Sequence, residues 1–322
     1  RNTDLAADPF DNAGGFWIDQ DGNFISQADI FNEADGWSVT ADWAMTDTLA
    51  WRLIYSDRSS KYGSGLDDDS IGSVAGELNL PFGEDPALRN LWENGVMFQY
   101  PETGFADQES VELQLSGTFD GWDFVAGLYS FEESGGNNQD TTFFWAFPYG
   151  LHINRQDAES RAIYGNVGFQ ATERLRLSMG ARYTEDEKNA WTTVGVESSA
   201  TRDWNETSWE VAASWQASDS LNLYGTIQNG YQSGQFPARP YCLFGDPDCY
   251  VATDNVTAIN YEVGLKGRPT ASLSMSAAIF YTDYSDLPYQ VSDNTGGGFN
   301  TVNLVVDQTS VGFEWESTWV PI

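Results

Sequence analysis

Along much of this chain apolar and polar residues alternate with a period of two. Val111, Leu113, Leu115 and Phe119 are interleaved with Glu112, Gln114, Ser116 and Thr118, and Leu175, Leu177, Met179, Ala181 and Tyr183 with Arg174, Arg176, Ser178, Gly180 and Arg182. The pattern recurs at Trp209, Val211, Ala213 and Trp215 and again at Ile259, Tyr261, Val263 and Leu265. A period of two gives each strand one apolar and one polar face, as antiparallel sheets require. Turn and strand signals together predict about eleven strands, near residues 37–44, 48–57, 108–119, 122–133, 158–170, 174–187, 205–217, 221–232, 257–267, 272–291 and 301–319. Helical periodicity is weak everywhere, with one candidate around Pro86 to Asn94.

The connections alternate as regularly as the residues. Tight turns (Met45 to Asp47, Asp120-Gly121, Ala171 to Glu173, Ser218 to Ser220, Arg268 to Ala271) are followed by long polar stretches at 58–107, 134–157, 188–204, 233–256 and 292–300. Loops of that length are uncommon in compact soluble domains, whereas short turns on one rim and long loops on the other are the rule in outer-membrane barrels. Aromatics on the apolar positions cluster at both strand ends. Trp43, Phe119, Trp122, Phe169, Trp215 and Trp319 lie beside the turns, and Tyr55, Tyr183, Tyr231 and Tyr281 toward the loops. The eight steps from Leu175 to Tyr183, tilted by ~40°, span about 20 Å, close to an apolar band of ~25 Å. Charged residues fill the other face: Glu112, Arg174, Arg176, Arg182, Glu210, Glu262, Lys266, Glu314 and Glu316. A soluble β-sandwich is the alternative reading of such strands, but its core has no use for an inward row of charges, and a wet or plugged lumen does.

Composition narrows the function. The chain has 322 residues, 41% apolar and 15% aromatic with 13 Trp, which excludes wholesale disorder. Its 48 acidic and 15 basic side chains give a net charge of -33, a field that repels phosphate backbones and excludes nucleic acid as a partner. The longest apolar run, Met275 to Tyr281, is far short of the ~20 residues of a membrane helix, a fact silent about barrels. Arg1 at the start and Trp319-Val320-Pro321-Ile322 at the end lead us to expect a fragment.

Six blocks resemble the barrel of TonB-dependent outer-membrane receptors. They are Ser110 to Gly117 with Val125 to Tyr129 (SVELQLSG and VAGLY), Gly180 to Lys188 (GARYTEDEK), Leu223-Tyr224 with Gly230 to Phe236 (LY and GYQSGQF), Asn260 to Lys266 (NYEVGLK), Ala278 to Leu287 (AIFYTDYSDL) and Val311 to Glu316 (VGFEWE). They keep the family's order, and together the resemblance runs from about Trp37 to Trp319, nearly the whole chain. The resemblance implies an all-β fold, an antiparallel transmembrane barrel of which about 11 of roughly 22 strands are present, with short periplasmic turns and long extracellular loops. Residues 1–322 are then a partial barrel domain without the N-terminal plug, the TonB box and the C-terminal strands. The function implied is active uptake of a scarce solute across the cell outer membrane of a Gram-negative bacterium, most often a ferric siderophore. Its partners would be TonB, acting through the plug, and the lipid of that membrane. No covalent chemistry and no cofactor are implied. A passive porin-like channel and a soluble carbohydrate-binding sandwich are the readings from other classes.

Candidate binding residues lie in the long connections. Phe143, Phe144, Trp145, Phe147 and Tyr149 crowd one of them, and with His152, Phe236, Arg239 and Tyr241 they offer a stacking platform for a siderophore, or alternatively a cover for the neighbouring loops. Cys242 and Cys249 flank a Gly245-Asp246-Pro247 turn and suit a small disulfide loop in an oxidising exterior, whereas their spacing matches no zinc site. His152 is the sole histidine and has no nucleophile beside it, so no hydrolytic triad or imidazole metal site is read here. Asp19 to Asp29 resembles a calcium loop without its closing Glu, and Asp67-Asp68-Asp69 reads first as solvated loop, so no metal ligands are assigned. Acidic residues concentrate in the loops, which is either a solubilising outer face or a field that steers a cationic ligand.

Overall fold

The computed structural model describes residues 31–67, 98–143, 147–193, 197–237, 250–293 and 300–320. These residues form eleven strands: β1 (Phe31–Ala44), β2 (Leu49–Asp67), β3 (Phe98–Phe119), β4 (Trp122–Phe143), β5 (Phe147–Gln170), β6 (Leu175–Thr192), β7 (Ser198–Ser218), β8 (Leu221–Gln232), β9 (Val256–Thr270), β10 (Leu273–Asp293) and β11 (Asn300–Trp319). All eleven lie in one sheet in chain order. Every neighbouring pair is antiparallel, in a continuous meander from Phe31↔Gly63 to Leu273↔Trp319. The segment read as weakly helical, 86–94, lies outside the described residues, as do Asp19 to Asp29, Asp68 and Asp69.

The strands are longer than the alternation predicts. Much of the stretches read as long loops, 58–107, 134–157 and 188–204, is paired strand, and β3, β4 and β5 run for 22, 22 and 24 residues. The reason is visible in Glu132-Glu133-Ser134-Gly135-Gly136-Asn137-Asn138, which pairs on both sides although neither face is apolar. Beyond a membrane both faces of a hairpin meet water, so the period of two disappears while the backbone ladder continues.

Register settles which residues share a face. Trp43, Trp51, Leu115, Ala126, Gly165, Ala181 and Trp209 follow one another across seven strands on the apolar face. That face is open: Met179 is 59% exposed, Val263 61% and Val311 71%. Among the described residues the buried apolar side chains are Ala162, Ala190, Trp204, Phe236, Tyr250 and Ala252, all away from this face. A sandwich would have buried Met179, Val263 and Val311 against a second sheet, so the apolar face is built for lipid. At its turn end Phe119, Trp122 and Phe124 stack with centroids 4.4 to 6.3 Å apart, and Trp37 and Tyr55 meet at 5.0 Å toward the other end. Tyr231 does not join the upper belt; its hydroxyl turns to the polar face and donates to Asp186.

Just above the belt the same face changes character. Asp57, Glu109, Glu132, Glu159, Glu187 and Asp203 stand side by side across β2 to β7. Six cross-strand carboxylates cannot lie in hydrocarbon, so this row marks where the apolar band stops.

On the polar face, aromatic rings cover the glycines directly opposite them. Tyr62 pairs with Gly104, Tyr164 with Gly127, Tyr224 with Gly264 and Phe280 with Gly312. A Cβ on Gly127 would stand 2.4 Å from the Tyr164 ring, and on Gly264 2.6 Å from that of Tyr224. The glycines thus let bulky rings lie flat along the wall.

Candidate functional site

The polar face carries a repeated unit of carboxylate, tyrosine and cation. Tyr164 donates to Glu112, and the Arg182 guanidinium lies 5.7 Å from the Tyr164 ring and 5.1 Å from that of Tyr129. Tyr224 donates to Glu262 at 2.7 Å while Lys266 sits 5.3 Å above its ring. Asn166 donates to Glu210 at 2.7 Å. Near the turns the carboxylates are held by arginine instead: Asp42 by Arg52 at 2.6 Å and Asp123 by Arg176 at 2.5 Å. Higher on the wall the carboxylates accept from neutral donors, which stabilise charge without cancelling it.

Above the apolar band a neck of chain folds back onto this face. Residues 233–237, after β8, and 250–255, before β9, pair through Thr253 N–H to Gln235 O and Gln235 N–H to Thr253 Oγ1, both at 3.0 Å. The wall grips the neck by its carbonyls. Lys188 donates to Gly234 O at 2.7 Å, Trp204 Nε1 to Thr253 O at 3.1 Å and Arg202 to Ala252 O at 2.5 Å, with Arg202 also paired to Asp254. Glycine is required at 234, where a Cβ would meet Thr253 O at 1.9 Å. Trp204 is 5% exposed, meets Phe236 edge-on at 6.4 Å and has Lys188 at 5.4 Å and Arg202 at 5.3 Å from its ring. Phe236 in turn packs on Tyr250 at 5.2 Å. Burial pushes the Tyr250 hydroxyl up to about 12 and lowers the Lys188 ammonium, against the pull of Asp186 and Glu133.

Beside the neck the wall forms a cavity of about 370 Å³, lined by Tyr129, Phe131, Glu133, Gln156, Ala158, Ser160, Asp186, Lys188 and Ser233. Its polar groups come from β4, β5, β6 and the neck, so it exists only in the assembled sheet. Gln108 donates to Glu133 and Tyr231 to Asp186, each at 2.5 Å. Glu159, which also borders it, is paired with Arg161 at 3.0 Å. The volume suits a ring or a short arm of a larger ligand. Among the described residues no group of three His, Cys, Asp or Glu is arranged to hold a metal ion.

Phe143 and Phe147 are register partners in the β4–β5 ladder, Tyr149 and His152 follow on β5, and His152 pairs with Gln139 in the backbone ladder. Trp145, Arg239, Tyr241, Cys242 and Cys249 lie outside the described residues. Phe236 is 7% exposed, so its ring serves the neck. The sequence reading missed Tyr129, Phe131, Trp204 and Tyr250. The first three carried a signal: each is an aromatic residue out of phase with the apolar positions of its own strand. Tyr250 carried none, because its partners are more than ten residues away.

A family model described as "TonB dependent receptor-like, beta-barrel" matches residues 1–320. The pesticin receptor of Yersinia enterocolitica is 23% identical over 177 residues, 53% of this chain and 25% of that protein. Among solved structures, the ferric yersiniabactin uptake receptor FyuA of Yersinia pestis superposes with a TM-score of 0.69 at 18% identity, over 89% of this chain and 40% of that one. The copper transporter OprC gives a TM-score of 0.67 at 14% identity, over 90% and 44%. The chain thus spans less than half the length of the proteins it matches. With the lipid-facing belt, the polar wall and this match in hand, the chain belongs to the TonB-dependent receptors of the Gram-negative outer membrane, as a segment of their β-barrel.

Proposed function

We propose that this segment is part of the wall and ligand vestibule of a receptor that takes up a ferric siderophore through TonB. The observation that carries the reading is the cavity beside the neck, at the loop end of a polar wall, in a chain matched by the receptor family along nearly its whole length. The pesticin and ferric yersiniabactin receptors support it as relatives of the same architecture. The aromatic tip from Phe143 to Tyr149 serves as an outer stacking platform with His152, Arg239 and Tyr241, and Cys242 and Cys249 close a disulfide loop beyond the neck. TonB acts through a plug outside these residues, and lipid covers the apolar face. No bond of the ligand is made or broken. The family is one of transport receptors, and the wall does binding and guidance.

Two measurements on the full-length receptor test this. In planar bilayers the receptor is nearly silent, because a plug fills the lumen; a steady porin-like conductance is the result that removes the reading. Under iron limitation, a strain lacking the receptor grows more slowly on its ferric siderophore and recovers when the gene is restored.

A further inference from the structure

We infer that the cavity beside the neck is a subsite for a protonated amine on the incoming ferric chelate, held by Glu133 and Asp186. The inference rests on the uptake reading and adds the charge class of the ligand. Both carboxylates accept one hydrogen bond from a neutral donor, Gln108 and Tyr231. A carboxylate has about four lone-pair sites, so each retains acceptor capacity. Of the cations nearby, Lys188 donates to Gly234 O and lies over Trp204 while also feeling the charge of Asp186 and Glu133, and Arg182 lies over the rings of Tyr129 and Tyr164. With Glu159 paired to Arg161, Glu133 and Asp186 against one ammonium leave the lining with an excess negative charge, and Ser160 and Ser233 add hydroxyl acceptors. The rings of Tyr129 and Phe131 form the rest of the surface, where the methylenes of an alkylammonium arm have apolar contact. An ammonium satisfies this wall with three donors. A carboxylate or catecholate group entering the same space would face both Glu133 and Asp186, with Lys188, already bonded to Gly234 O, as the one cation of the lining to offset its desolvation. The six-carboxylate row and the chain's charge of -33 point the long-range field the same way, favouring approach of cations.

The test uses the full-length receptor and two probes that differ in one group: a ferric trihydroxamate bearing a free primary amine, and the same chelate N-acetylated. Tryptophan quenching gives both affinities. The amine form is expected to bind about tenfold or more tightly than the acetylated form, the effect of one charged hydrogen bond. In Glu133→Gln/Asp186→Asn that ratio falls to about one, with the heat-induced gel shift of the barrel unchanged. Glu133→Gln alone gives an intermediate ratio, which keeps the test valid where the double variant does not assemble. Equal binding of the two probes by the native receptor overturns the inference, as does a ratio retained in the variants or preferential uptake of a ferric tris-catecholate. In all three cases uptake itself would stand. If cells import no ferric chelate of any charge, the uptake reading fails instead.

Discussion

Trp204 gathers more of the upper wall's interactions than any residue near it: a hydrogen bond to Thr253 O, two cations at its ring, and the edge of Phe236. Replacing it by leucine removes the donor and both cation contacts at a site 5% exposed, a loss of about 2–4 kcal/mol to the docking of the neck. Limited proteolysis of the full-length Trp204→Leu receptor should cut within 233–255 at least several-fold faster, with the barrel's heat-induced gel shift intact; an unchanged cleavage rate would refute the role. Ionisation gives an independent check. Tyr250 ionises at about 12 when docked against an ordinary ~10, so its contribution is whole below the ordinary value and is lost as pH climbs toward 12. Lys188 is lowered by burial, so the undocked neck binds more protons just below ~10.5, and docking strengthens as pH rises to that point. The emission of buried Trp204 should therefore hold or sharpen up to about pH 10 and collapse above it. A neck that loosens steadily between neutrality and pH 10 would contradict the burial of both groups. Little of this was legible in the sequence. Trp204 announced itself only by falling out of phase, and its partners are brought to it by register and by the fold-back of a neck that shares no periodicity with the strands.

At the scale of the strand the sequence was legible wherever one face touches lipid. β9 and β11 appear close to their expected bounds, and the short turns sit where predicted, because alternation is enforced on each side of them. It failed above the belt, where β3 to β5 continue as paired strand through residues polar on both faces. The face change has an energetic signature. Met179, mid-band on β6, and Glu187, eight residues on in the same strand, point the same way. In urea titrations of the receptor refolded into lipid vesicles, Met179→Arg should cost about 2–4 kcal/mol and Glu187→Arg about 0–1 kcal/mol. Equal costs at the two positions would mean that the band is misplaced, and a negligible cost at Met179 that this face does not meet lipid.

For the whole molecule, hydropathy and charge act together. The absence of any long apolar run is what a wall with lipid on one side and a polar lumen on the other displays, and above the band carboxylates stand on both faces, as the six-residue row on the outer one and as Glu133 and Asp186 around the cavity on the inner one. β1 and β11 each present one edge without a strand partner among the described residues, and an open edge in hydrocarbon leaves backbone groups unpaired at several kcal/mol each. The match with the ferric yersiniabactin uptake receptor covers 40% of that chain. The architecture was legible as six ordered sequence blocks, whereas the cavity was not, because its lining is brought together from strands and a neck far apart in sequence. The most direct test of the central claim is accumulation of a radio-iron siderophore in cells carrying the full-length receptor, with and without TonB. Accumulation against the gradient that disappears when TonB is deleted is the expected result; accumulation of equal rate and extent in the absence of TonB would contradict TonB-driven uptake.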